Sequence, residues 1–127
     1  MGSLRLELFV AALEPSIDFY QRVLGFTLIE RRPDGYTVME REGATIDLQP
    51  VGFLEDGHPA KPRSGFPNGL GIEIVIEVDN VDDAYKRVVN SEYRINMPLG
   101  RRFWGLRDFR LVDPDGRYIR ITARTIE

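Results

Sequence analysis

One feature constrains this chain more than any other: its pattern is written twice. LRLELFV (residues 4–10) sets Leu4, Leu6, Leu8 and Val10 against Arg5, Glu7 and Phe9. GIEIVIEV (residues 71–78) sets Ile72, Ile74, Ile76 and Val78 against Glu73, Val75 and Glu77. A period of two with one aliphatic side is a strand that covers a core on one face only. Each strand then runs into a helix. Pro15 suits a first helical turn, Ile17, Tyr20, Val23 and Leu24 make an apolar stripe, and Gly25 ends it. In the second copy Asp79 or Asn80 caps, and Val81, Ala84, Tyr85, Val88 and Val89 form the stripe. Three strand-like runs follow each helix: FTLIERR, GYTVMER and ATIDLQP, then YRINMP, FWGLRDFRLVD and RYIRITA. Turn residues separate them at Pro33-Asp34-Gly35, Glu42-Gly43 and Asp113-Pro114-Asp115-Gly116.

Each half therefore reads β-α-β-β-β, and the expected fold class is α+β, with tandem βαβββ modules. A single domain over residues 1–127 is expected, with module one at about 3–51 and module two at about 71–125. Between them the Gly- and Pro-rich run at about 52–70 reads as a crossover loop. One helix per half leaves the second sheet face uncovered, so the modules are expected to form a curved mixed sheet around a cleft. The positions opposite the aliphatic ones then face that cleft: Arg5, Glu7 and Phe9; Thr45, Asp47 and Gln49; Glu73, Val75 and Glu77; Tyr118, Arg120 and Thr122. A face that merely met water would be composed in the same way.

Composition excludes several chemistries. A net charge of −3 gives no broad basic field for nucleic acid. Arg101, Arg102, Arg107 and Arg110 cluster among acids and read as solvated or paired. The absence of cysteine removes disulfides, thiolate nucleophiles and Cys-ligated zinc. No apolar run reaches membrane-spanning length and no leader pattern is present, so a cytoplasmic protein without membrane partners is expected. Ser16, Ser64 and Ser91 have no histidine partner for nucleophilic catalysis. His58, the one histidine, lies between Gly57 and Pro59 and reads as an exposed loop residue.

DFYQRVLGF (residues 18–26), EVDNVDDAYKRV (77–88) and WGLRDFRLVDPDGRYIRI (104–121) add a family resemblance. With the duplication they resemble the vicinal oxygen chelate superfamily, which includes glyoxalase I, extradiol dioxygenases, fosfomycin-resistance enzymes and bleomycin-resistance binding proteins. The resemblance extends over nearly the whole chain, and the Trp-Gly-x-Arg-Asp-Phe run before Asp-Pro-Asp-Gly is most similar to the bleomycin-resistance branch. In metal-using members four strand positions carry the ligands; the resemblance places Arg5, Asp47, Glu73 and Arg120 there. Arginine stays protonated and is no ordinary ligand. Pairing of Arg5 and Arg120 with Asp47 and Glu73, and a site without metal or cofactor, are therefore expected. A hard-cation site built from the acids alone stays open.

The resemblance also implies a homodimer that sequesters a small planar aromatic or glycopeptide-type compound in interface grooves. It places the ring between a first-half aromatic, here Tyr36, and Trp104 of the partner chain. Gly105 leaves room beside the indole. Gln49, Thr45 and Arg120 are candidates to orient the guest. Asp47, Glu7, Phe9 and Phe66 are candidates to line the site, and Glu7, Glu73 and Glu77 would favour a cationic compound. Two other readings stand beside this one. A metal-free lyase, isomerase or hydrolase would use Glu73 as general base, with Arg5 or Arg120 stabilising an enolate or oxyanion. A module with no small ligand would fill the trough with its own side chains, leaving Trp104 as packing.

Overall fold

The computed structural model describes residues 2–63 and 68–124. The chain divides into two compact units, Met1–Phe66 and Pro67–Glu127, here called module one and module two. Module one runs β1 (Arg5–Val10), α1 (Leu13–Asp18, continued as a wider π turn over Phe19–Val23), β2 (Thr27–Arg31), β3 (Thr37–Arg41) and β4 (Ala44–Pro50). Module two runs β5 (Ile74–Val78), α2 (Val81–Ser91), β6 (Met97–Arg101), β7 (Arg107–Val112) and β8 (Tyr118–Ala123). Each builds one four-stranded mixed sheet, ordered β1-β4-β3-β2 and β5-β8-β7-β6. The first and last strands pair in parallel and the other pairs are antiparallel. The duplicated βαβββ pattern is thus the architecture, as two sheets.

In module one Leu8, Val10, Met39, Ile46 and Leu48 of the sheet are buried with Ile17, Phe19, Tyr20, Val23 and Leu24 of the helix. Burying each such side chain is worth about 1.5–3 kcal/mol. Phe19 was not part of the apolar stripe. It turns inward because the helix widens there: the Leu24 amide donates to the Phe19 carbonyl, a five-residue step, at 3.0 Å. Phe19 and Tyr20 consequently pack edge to face, with centroids 4.9 Å apart. The helix stops at Gly25 with φ +79°, and Arg41 Nη1 donates to the Leu24 carbonyl at 2.5 Å, serving one of the terminal acceptors.

Module two buries Ile76, Val78, Phe109, Leu111, Ile119 and Ile121 with Val81, Ala84 and Val88. Asn80 is the cap: its Oδ1 accepts from the Asp83 amide at 3.0 Å. Four sequence expectations need correction here. Val89 is exposed, one step past the buried arc. Ile72 is also exposed; it closes a turn by donating to the Gly69 carbonyl at 2.9 Å, so the strand begins at Ile74. The run YRINMP contributes only its end to β6, because Tyr93 is held by its hydroxyl, which donates to the Val112 carbonyl at 2.6 Å. Trp104 lies in a turn instead of a strand: the Gly105 amide donates to the Arg102 carbonyl at 2.9 Å, and Gly105 takes φ +92°. Among the described residues no helix is long and apolar enough to cross a membrane.

Candidate functional site

In module one, strand register sets the polar face. Glu7 is paired with Asp47 and Val38 with Asp47 across β1, β4 and β3, and Phe9 is paired with Gln49. Asp47 stands on an inner strand and is 1% exposed. A carboxylate so buried needs partners. Its Oδ2 lies 2.8 Å from Arg5 Nε and accepts the Tyr36 hydroxyl at 2.8 Å. Its Oδ1 has no hydrogen-bond partner among the described residues. Tyr36 leaves a tight turn, where the Gly35 amide donates to the Arg32 carbonyl at 2.9 Å and its own amide to Asp34 Oδ1 at 3.0 Å. Arg32 covers its ring, Cζ 4.9 Å from the centroid. Burial, then the hydrogen bond to Asp47 and the charges of Asp47 and Glu7, push the Tyr36 hydroxyl above the ordinary tyrosine pKa, with Arg5 opposing.

Glu7 is exposed, whereas Thr45, Gln49 and Phe9 are half-buried. The Phe9 ring meets His58 at 6.4 Å between centroids. His58 is therefore attached to the polar face from the loop, and its Nδ1 accepts from the Ala60 amide at 3.0 Å. Phe66 lies outside the described residues.

In module two the counterpart face holds Val75, Arg120 and Arg110, paired in register across β5, β8 and β7. Glu73, just before β5, stands against both arginines: its Oε2 accepts from Arg110 Nε at 3.1 Å, and its Oε1 lies 3.6 Å from Arg120 Nε. Arg110 also reaches Met97 Sδ at 3.1 Å. Arg120 Cζ lies 5.5 Å from the Trp104 ring, and Phe103 meets Trp104 edge to face at 4.7 Å. Trp104 is 37% exposed and Phe103 97%. The hairpin that presents them is fastened by Arg102. Its Nε donates to Asp108 Oδ1 at 2.6 Å, and its Nη2 to the carbonyls of Asp108 and Pro98 at 3.0 and 2.8 Å.

Arg110 and Arg102, read from sequence only as solvated or paired, are indeed paired, with Glu73 and Asp108, but their place beside the site was not foreseen; Asp108 and Arg32 are contributors that sequence reading missed. Only the alternation in RDFRLV, which gives Arg110 the parity of Arg120's partner, offered a signal for it. Glu73 faces two guanidinium groups, so the expectation that it recruits a cationic guest is revised. At the four positions where related folds hold metal, the donor sets do not fit a cation: each module offers one carboxylate already paired with an arginine. Among the described residues no three Asp, Glu or His side chains converge on one point.

A model of the family described as the Glyoxalase/Bleomycin resistance protein/Dioxygenase superfamily matches residues 2–121. The bleomycin resistance protein of Geobacillus stearothermophilus is 28% identical over 116 residues, 87% of either chain. Among solved structures, TioX from Micromonospora sp. ML1 is similar with a TM-score of 0.77 at 21% identity, covering 98% of this chain and 100% of that one. A glyoxalase/bleomycin resistance protein/dioxygenase from Nocardioides gives 0.73 at 24% identity, covering 94% of this chain and 80% of that one. These two likenesses concern the fold.

Proposed function

The chain belongs to the Glyoxalase/Bleomycin resistance protein/Dioxygenase superfamily, and within it we propose a binding protein that works without metal or chemistry. It sequesters a planar aromatic or glycopeptide-type natural product and protects by lowering the free concentration of that compound. The relationship to bleomycin resistance proteins supports the class of guest. The observation that carries the reading is the state of Trp104: it is 37% exposed on a turn fastened by Arg102, with Arg120 beside it. A tryptophan serving core packing would be covered by its own module. An exposed, braced indole has a face to offer, and aromatic stacking is worth about 0.5–1.5 kcal/mol beyond area burial.

Tyr36 is the second ring of the reading, fixed by its hydroxyl on Asp47 and backed by Arg32. Homodimerisation, with Tyr36 of one protomer and Trp104 of its partner enclosing the guest, is part of the proposal. Glu7, Phe9, Asp47, Gln49, Phe66 and Arg120 are proposed to line or orient the guest. The enzymatic alternative needs Glu73 as an available base, and both of its oxygens already face guanidinium groups. That observation favours sequestration.

The test is a titration of chelator-treated protein with a panel of planar antibiotics, read by the fluorescence of Trp104, the one tryptophan. Saturable quenching with the compound recovered intact is the expected result. A compound recovered in altered form, with turnover lost in Glu73→Gln, would replace the proposal by the enzymatic reading.

A further inference from the structure

We infer that module two receives an anionic group: the planar ligand that stacks on Trp104 carries a carboxylate beside its ring, and Arg120 binds it. This rests on the stacking role proposed for Trp104. Arg110 and Arg120 are direct Cα partners on neighbouring antiparallel strands. Like charges so placed repel, and a sheet carries them only when something of opposite sign stands between. Glu73 does so for both, at 3.1 Å from Arg110 Nε and 3.6 Å from Arg120 Nε. Among the three groups in contact, two guanidinium groups stand against one carboxylate. Glu77 shares the face and would balance the second arginine, but its register partner is Thr122, two residues beyond Arg120.

The hydrogen bonding points the same way. Glu73 Oε2 makes a normal bond with Arg110, but the approach of Oε1 to Arg120 is too long for one. Arg120 Nε is buried and has no hydrogen-bond partner among the described residues. That donor meets only Glu73, at 3.6 Å, so Arg120 is not fully committed to its neighbour, and the part of its side chain that stays in water, 26% exposed, can take a carboxylate. Arginine is suited to that role because its planar fork matches a carboxylate with two parallel N–H groups. The guanidinium is already 5.5 Å from the indole centroid. An acid group attached to a ring in contact with Trp104 comes within its reach.

Three probes of one shape separate the possibilities: 2-naphthoate, neutral 2-naphthamide and cationic 2-naphthylmethylamine, titrated into the full chain by calorimetry. The acid is expected to bind about tenfold more tightly than the amine, as suits one charge-assisted pair. Arg120→Gln should erase that preference, and Arg120→Lys, which keeps the charge and loses the fork, should retain part of it. Trp104→Ala should weaken all three probes while leaving their order intact. Thermal unfolding of each variant reports whether it is folded, and the Lys variant keeps the test alive if the Gln variant is not. Equal binding of acid and amine, a preference for the amine, or an acid preference that survives Arg120→Gln overturns the inference and leaves the stacking reading standing. No binding of any probe overturns both.

Discussion

Module one carries Arg5 at the start of its edge strand and Asp47 on the strand beside it; module two carries Glu73 and Arg120 at the corresponding places. The correspondence is fixed by the backbone. Val10 and Val78 each stand three residues before the first residue of their helices, which aligns Arg5 with Glu73. Glu7 and Val75 align in the same way, and their register partners are Asp47 and Arg120. One ion pair has thus been written with its signs reversed. The consequence lies in side-chain length. A short acid on an inner strand is swallowed, and the Asp47 side chain is 1% exposed. A long arginine keeps part of its length in water, and the Arg120 side chain is 26% exposed, beside Trp104. Identical topology yields a fixed floor in one module and an available hand in the other.

The largest expected effect tests that difference directly. Arg5→Ala leaves the buried Asp47 with the Tyr36 hydroxyl and should cost about 3 kcal/mol. Glu73→Ala leaves Arg110 and Arg120 as like-charged strand partners without their shared carboxylate, but both keep some contact with water, and it should cost about 1–2 kcal/mol. Urea denaturation measures both, and equal costs would erase the distinction. Next comes affinity. Trp104→Ala should weaken binding of a planar ligand about tenfold with little change in unfolding temperature. Tyr36→Phe keeps the ring and should cost about 1 kcal/mol of stability instead. If Trp104→Ala unfolds the protein at lower temperature without touching affinity, the indole is packing after all.

A third contrast appears in alkali. Burial, and then the charge of Asp113, push the Tyr93 hydroxyl up to about 12. A tyrosine raised on folding contributes stability that is complete below its unfolded value of about 10 and is lost as pH rises through the folded value. Stability should therefore fall between about 10 and about 12, and Tyr93→Phe should flatten that fall in a pH series of melts. The smallest effect concerns the helix ends. Module one stops on Gly25 at φ +79°, whereas α2 stops on Glu92 at φ +63°. Glu92→Gly should gain about 0.5–1 kcal/mol and Gly25→Ala should lose about 1 kcal/mol. A loss on Glu92→Gly would mean its side chain matters more than its backbone.

The order of elements was legible because period-two runs and Pro-Asp-Gly turns are local signals, and ATIDLQP became β4 residue for residue. The strand starts were not legible where a tertiary bond decides. Tyr93 has strand propensity, yet its hydroxyl is tied to Val112, nineteen residues on. The pairing of Arg5 with Asp47 and of Arg120 with Glu73 was legible through the family resemblance, which places all four at matching strand positions. For Arg110 the alternation gave only its face, and that it opposes Arg120 requires the β7–β8 register. The same holds for Arg102, whose acceptors on Pro98 and Asp108 come together only once the hairpin is folded.

The widened turn over Phe19–Val23 makes the first helix a reserve of length. A π turn holds one residue more than the α turn it replaces. Losing one residue there, exposed Gln21 for instance, would let the backbone tighten to ordinary pitch while Ile17 and Leu24 kept their bearings on the sheet. The same deletion in α2 would rotate everything after it by about 100° and carry Val88 out of the core. A one-residue deletion is thus admitted to one helix of this duplicated chain and barred from the other.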